Sequence, residues 1–167
     1  MATPTSLPSS FTDNSVLTAT QLNNLRGAFR ILQVVSATTT TQVTNNTSTF
    51  ADTNLTATIT PSATSSKVLV LLSQNGCAKR TGNAANYIIL QLLRGATVIA
   101  TLENGGGYTN TNSDLFFGSI ASAYLDSPAT TTATTYKTQV KNNINGAGVE
   151  VNANSAVSTI TLMEVSA

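Results

Sequence analysis

Histidine is absent from this 167-residue chain, which removes the commonest general base and the commonest zinc ligand. Neither a Ser-His-Asp nor a Cys-His nucleophile can be built from its residues. The acidic side chains are Asp13, Asp52, Glu103, Asp114, Asp126, Glu150 and Glu164. They are scattered, so paired-carboxylate hydrolysis would need strands to gather them, and nothing in the sequence favours it. Gly105-Gly106-Gly107 leads into Tyr108 and a strand rather than into a helix; it reads as a flexible loop tip, not a phosphate cradle. The one cysteine, Cys77, leaves no intramolecular disulfide or multi-Cys zinc site and reads as a small buried thiol. The expectation is a protein that is not an enzyme and holds no cofactor or metal.

Binding chemistry is better represented. Three polar stretches stand out: Asn75 to Asn83, with Lys79 and Arg80; Asn104 to Asn112, with Tyr108, Asn110 and Asn112; and Lys141 to Gly146, with Asn143. Amides that donate and accept, two adjacent cations and an exposed aromatic ring are groups that can hold sugars. The same residues are those a hairpin loop uses to turn. Lys79, Arg80, Tyr108, Asn110, Asn112 and Asn143 are therefore candidate receptor contacts, with the turn-only reading beside them.

Short strands must position these loops. Leu55, Ala57 and Ile59 alternate with Thr56, Thr58 and Thr60, a period-2 strand with one wet face. Thr132 to Val140 sets Tyr136 and Val140 against Lys137, Gln139 and Lys141. Val68 to Leu72 is continuously apolar and Tyr87 to Leu93 is broken only by Gln91, so both are expected to bury two faces. A two-residue Gly95-Ala96 turn joins the second of these to Thr97–Leu102 as a hairpin. With strands at Ile31–Val43, Leu115–Tyr124, Val149–Val151 and Ser158–Val165, eight or nine strands argue for an all-β, antiparallel jelly-roll sandwich over residues 31–167. An immunoglobulin-like sandwich is the alternative, disfavoured by the absence of Trp. Residues 1–30 read as an extended arm followed by one short helix. Thr18 and Gln21 make a capping box, and Leu22, Leu25 and Phe29 fall on one helical face. That face suits packing on its own domain and equally an attachment or trimer contact. Asp126-Ser127-Pro128 reads as a turn. Glu164 shares a strand face with Ile160 and Leu162, so it sits at a wet end or pairs with Lys67, Arg94 or Lys137.

Charged residues make up 9% of the chain and net charge is +1, against roughly 25% charged in ordinary soluble domains. Polarity rests on neutral groups; Thr alone is roughly one residue in six, suited to the solvent side of strands. There is no basic surplus for nucleic acid, no apolar run long enough to span a bilayer, and no Sec-type signal in Met1 to Ser6. Two faces buried on one strand need a covering partner, and a symmetry mate is the natural one, hence an expected homotrimer.

Ser15-Val16-Leu17-Thr18-Ala19-Thr20-Gln21-Leu22-Asn23 resembles the start of many phage tail-fibre and virion-appendage proteins. Ile31 to Val35 and Ile59 to Val70 resemble a fibre-type domain frequent in phages of marine bacteria and cyanobacteria, and Leu125 to Thr131, Thr135-Tyr136-Lys137 and Ser158 to Val165 match it best. That family is similar in layout to trimeric jelly-roll knobs of the C1q/TNF type. The resemblance implies a trimeric virion protein, assembled in the bacterial cytoplasm and released by lysis. Its N-terminal segment would meet other virion proteins of tail, baseplate or capsid, and its β-domain would face host-surface glycans. It implies no catalytic residues. The absence of a repetitive shaft keeps a capsid decoration or head-appendage subunit, which stabilises the virion without receptor binding, as the alternative to the leading expectation of a host-attachment fibre or spike.

Overall fold

The computed structural model describes Val16, Thr18, Ala19 and residues 31–166. The expected arm and the helical face of Leu22, Leu25 and Phe29 lie outside the described residues. Ten strands follow one another: β1 (Ile31–Thr39), β2 (Val43–Asn45), β3 (Ala51–Ile59), β4 (Lys67–Lys79), β5 (Ile88–Arg94), β6 (Thr97–Gly106), β7 (Leu115–Asp126), β8 (Thr134–Asn142), β9 (Val149–Val151) and β10 (Ser158–Val165). One sheet places β1, β10, β4 and β7 side by side, and the other runs β3-β8-β5-β6. The short β2 and β9 pair with each other and extend the first sheet beside the end of β4. All of these pairs are antiparallel, and the eight long strands interleave between the sheets as two Greek keys do in a jelly roll.

Side-chain period decides which residues fill the space between the sheets. Leu55, Ala57 and Ile59 of β3 are buried while Thr56 and Thr58 are exposed, and Tyr136, Thr138 and Val140 of β8 point inward between less buried neighbours. They pack with Val68, Val70, Leu72, Leu90, Leu92, Ile160 and Leu162 in one core. The two doubly apolar strands part company. On β5, Leu93 is only 4% exposed and Gln91 only 7%, so the chain covers both faces itself. On β4, Leu69 is half-buried and Leu71 is 37% exposed; the described residues do not bury its second face as expected.

Two strands run further than turn-forming residues suggest. β4 continues through Gln74-Asn75-Gly76 to Lys79, with register shifts at Gly76 and Cys77. Gly76 has φ +60, and a Cβ there would lie 2.5 Å from the backbone nitrogen of Ala153. Only glycine fits that left-handed, crowded bulge. β6 extends to Gly106, so the glycine triplet is not a flexible tip. A Cβ on Gly106 would stand 3.1 Å from the Phe117 ring, and one on Gly107 2.8 Å from it, so the ring packs directly on bare backbone. Asp126 is likewise no turn residue. It ends β7, buried, and its carboxylate accepts both Arg94 Nη1 bonds (2.9 and 2.8 Å) and the Tyr136 hydroxyl (2.6 Å). Burial, then the Asp126 carboxylate, push the Tyr136 phenol well above its ordinary pKa.

Glu164 has none of the three cations expected for it. Its carboxylate is buried and accepts the Ser62 amide (2.7 Å), the Ser62 hydroxyl (2.6 Å) and Gln33 Nε2 (2.6 Å). Burial alone raises a carboxyl pKa, but hydrogen bonds from Ser62, Gln33 and Ser66 outweigh it and hold Glu164 below the ordinary range. A depressed folded-state pKa contributes stability that is present above the unfolded value, about 4.3 for Glu, and is lost as pH falls through the folded value. We expect Glu164→Gln, which faces an NH2 group toward donors, to cost about 1–3 kcal/mol at pH 7. The wild-type advantage should shrink between pH 5 and 3. Urea unfolding across that range checks it; a gap between the two proteins that does not change with pH would count against the carboxylate.

Candidate functional site

The strand directions give the sandwich two different ends. Ile31, Val165 and Lys67 pair across one end, where the loops 60–66 and 127–133 also lie. β4 runs from that end for 13 residues, roughly 40 Å at about 3.3 Å per residue. At the far end four loops meet: 46–50 after β2, 80–87 after β4, 107–114 after β6 and 143–148 after β8. The three polar stretches singled out in the sequence all reach this far end.

Lys79 is the correction among the candidate contacts. It closes β4, fully buried. Its ammonium donates to the Ala84 carbonyl (3.1 Å), the Thr109 hydroxyl (2.8 Å) and the Thr111 carbonyl (2.7 Å). Three fixed acceptors take the place of water around the charge, so Lys79 ties the second loop to the third and meets no receptor. Arg80 is part-exposed and also committed: Nη2 lies 2.7 Å from Glu150, Nη1 lies 3.1 Å from Asp114, and the guanidinium sits 4.7 Å from the centre of the Phe116 ring. The Glu150 bond leads the effects that raise the pKa of an already permanent cation. Two carboxylates thus converge, but on a guanidinium that bridges them.

The amides are spent in the same way. Asn112 Oδ1 accepts the Gly82 amide (2.7 Å). Asn143 accepts the Tyr87 amide (2.9 Å) and donates to the Ala85 carbonyl (2.9 Å). Residues that sequence reasoning passed over do more of this work. Buried Asn86 donates to Arg80 and Gly148 carbonyls (3.0 and 2.7 Å), Asn45 donates to Thr49 and Val140 carbonyls, and Asn145 accepts the amide and hydroxyl of Ser48. Asp114 adds the Thr81 amide (2.7 Å). What faces outward is smaller: Tyr108, 52% exposed with its ring edge-on to Tyr87 at 6.3 Å, then Asn110, held at φ 53, and the hydroxyls of Thr111 and Ser113. The end of the sandwich presents hydroxyls, an exposed asparagine and the exposed rings of Tyr108 and Phe116, groups able to stack and hydrogen-bond. Among the described residues no three His, Cys, Asp or Glu side chains gather to hold a metal, and no helix is long and apolar enough to cross a membrane.

No protein-family model matches the chain, and no curated protein matches it. Among solved structures, the chain is similar to the infectious bursal disease virus VP2 subviral particle, with 13% identity over 80% of this chain and a TM-score of 0.43. The T13 particle of the same virus gives 13% identity over 79% and a TM-score of 0.42. The chain spans under two-fifths of those proteins, 39% and 37% of their length. At these TM-scores the likeness assigns neither family nor function.

Proposed function

We propose that this chain is a non-enzymatic bacteriophage virion protein, a trimeric fibre or spike subunit that displays the four-loop end of its sandwich to the host surface. The observation that carries the reading is the polarity of the fold. The chain enters the sandwich at Ile31, and the four loops meet at the opposite end of β4. The thirty residues before Ile31 can then attach to tail, baseplate or capsid while the plate of Tyr108 and Asn110 points away from it. Three such plates on one knob would bind a repetitive glycan surface with an avidity gain of about 10²–10⁴ when the spacing allows.

One observation favours a second reading. Asn112, Asn143, Asn145 and Asn86 spend their amides inside the protein, which suits a subunit that stabilises the virion as a capsid decoration without receptor binding. A map of the intact particle, with a matched particle whose chain lacks residues 1–30, tests both. We expect the sandwich density to vanish with the truncation and the four loops to point outward in the intact particle. Loops buried against the particle would sink the display reading. Full-length chain that loses cell binding at least tenfold on Tyr108→Ala selects attachment; no binding to cells, with capsids that break more readily without the protein, selects decoration.

A further inference from the structure

Asparagine followed by glycine is the pair at which a protein chain most readily modifies its own backbone, because no Cβ keeps the glycine nitrogen from the asparagine side-chain carbon. The chain has three such pairs, Asn75-Gly76, Asn104-Gly105 and Asn145-Gly146. The attack needs an amide side chain free to turn, a backbone N–H free of an acceptor, and room for both to move, since intramolecular rates depend steeply on approach geometry. The fold withholds these at two pairs. Asn75 is held at both ends of its amide, donating to the Val157 carbonyl (2.5 Å) and accepting from the Ser73 hydroxyl (2.9 Å), and Gly76 is crowded by Ala153. At Asn145 the side-chain oxygen accepts the Ser48 amide (2.7 Å) and hydroxyl (3.0 Å), while the Gly146 N–H donates to the Asn46 carbonyl (2.9 Å).

Asn104 is different. It is exposed, its backbone N–H donates to Glu103 Oε1 (3.0 Å), and among the described residues no hydrogen bond holds its side-chain amide. The pairing of β6 with β5 steps from Asn104↔Ile89 to Gly106↔Ile88, so Gly105 is the extra residue of a bulge, with no partner of its own. Gly106 and Gly107 lie under the Phe117 ring, but a Cβ on Gly105 would find nothing nearer than Glu103 Oε1 at 3.9 Å. Gly105 also closes the turn that carries Tyr108, whose amide donates to the Gly105 carbonyl (3.2 Å).

We propose that Asn104 is a site of self-modification, at which the side-chain nitrogen is lost as ammonia and the backbone is rerouted through an isoaspartyl link. Gly105 N gives its proton to hydroxide and attacks Asn104 Cγ. The new N–Cγ bond closes a cyclic imide and the Cγ–Nδ2 bond breaks; ammonia leaves with a proton from water. A second water then opens the imide at either carbonyl, giving aspartate or isoaspartate, the latter with one more carbon in the main chain. Both products set a new carboxylate beside Glu103, and isoaspartate lengthens the chain just ahead of the turn over residues 105–108. The change displaces Tyr108; that it weakens host attachment with time rests on the display reading above.

The test follows the full chain at mildly alkaline pH by peptide mapping, with electron-transfer fragmentation to separate aspartate from isoaspartate. We expect Asn104 to convert at least tenfold faster than Asn75 and Asn145, at a rate that rises with pH as hydroxide does. In urea, where the fold no longer holds any of the three pairs, their rates should come together. Asn104→Gln, whose longer side chain would have to close a larger ring, should remove the fast release of ammonia. Folded chain in which Asn75 or Asn145 leads, or in which none of the three converts, overturns the assignment; so does an Asn104 advantage that persists in urea. Cell binding is read separately: on ageing, wild-type protein should lose it faster than Asn104→Gln does. Equal loss in both overturns the link to attachment, and a fresh wild-type chain that binds no cells overturns the display reading while the peptide map still decides the site.

Discussion

Lys79→Met should lower the stability of the protein by about 2–4 kcal/mol, a fall in Tm of roughly 6–16 °C for a domain of this size. The thioether keeps the apolar stem packed near Gly107 and fills much of the volume, so no large cavity opens. What is lost is the donor. The carbonyls of Ala84 and Thr111, which now accept from the ammonium at 3.1 and 2.7 Å, are left facing an apolar group in a site closed to water. A buried acceptor deprived of its donor costs its full desolvation, whereas the bond itself contributes less. The damage should be local as well as global. Amide hydrogen exchange should speed up in residues 81–86 and 109–113, the two loops that the ammonium joins, and barely change in β3 or β10. Arg80→Met is the comparison. Arg80 is part-exposed, and its ion pairs with Asp114 and Glu150 are partly screened by solvent, so its loss should cost less than that of Lys79. A Lys79→Met protein that melts with the wild type, with unchanged exchange in both loops, would remove the ammonium as the fastening of this end.

How much of this was legible in the residues follows from how far away the deciding partner sits. The alternation Leu55-Thr56-Ala57-Thr58-Ile59 and the alternation around Tyr136 were readable because period-2 burial is a property of the strand itself. The Gly95-Ala96 hairpin was readable for the same reason, its turn being set by two adjacent residues. Gln74-Asn75-Gly76 looked like the end of a strand, because amides and glycine are turn residues. They stay in the strand because Ser158 Oγ takes the Asn75 amide at 2.8 Å and Gln74 finds Asn152 and Ser158, partners some eighty positions on. Gly105-Gly106-Gly107 looked free because Phe117, which lies over it, comes ten residues later on another strand. The site followed the same rule. The amide-rich stretches all reach one end of the sandwich, yet nothing local distinguishes an asparagine that will bind a ligand from one that will hold a loop. Lys79 and Arg80 are neighbours in sequence, but strand parity sends one inward to three acceptors and leaves the other at the surface.

Gln74→Leu should destabilise the protein by about 2–3 kcal/mol, although it exchanges a polar side chain for an apolar one in the middle of a core. Gln74 is fully buried between the sheets. Its Nε2 donates to Asn152 Oδ1 (2.9 Å) and Ser158 Oγ (3.0 Å), and its Oε1 accepts the Thr138 hydroxyl (3.0 Å). Thr138 in turn bonds Thr53 Oγ1 at 2.5 Å, and Asn152 donates to the Thr41 and Thr53 carbonyls. The chain of bonds therefore crosses from β4 and β10 to β3 and β8, and it fixes how one sheet sits on the other. Leucine would gain apolar burial worth about 1.5–3 kcal/mol against exposure, but Gln74 is already buried, so that gain is largely matched by the stem it replaces. The losses are not matched: Asn152 Oδ1 and the Thr138 hydroxyl each forfeit a bond in a place water does not reach. Adding Thr138→Val removes one of those stranded groups, and replacing both partners by apolar groups of similar shape is close to neutral. The double variant should thus recover about 1 kcal/mol relative to Gln74→Leu alone, so that in a double-mutant cycle by urea unfolding the two losses sum to more than the double variant loses. Strictly additive effects would mean that the two side chains do not act as one network. A Gln74→Leu protein more stable than wild type would mean that the bonds between the sheets contribute specificity of register and no net stability.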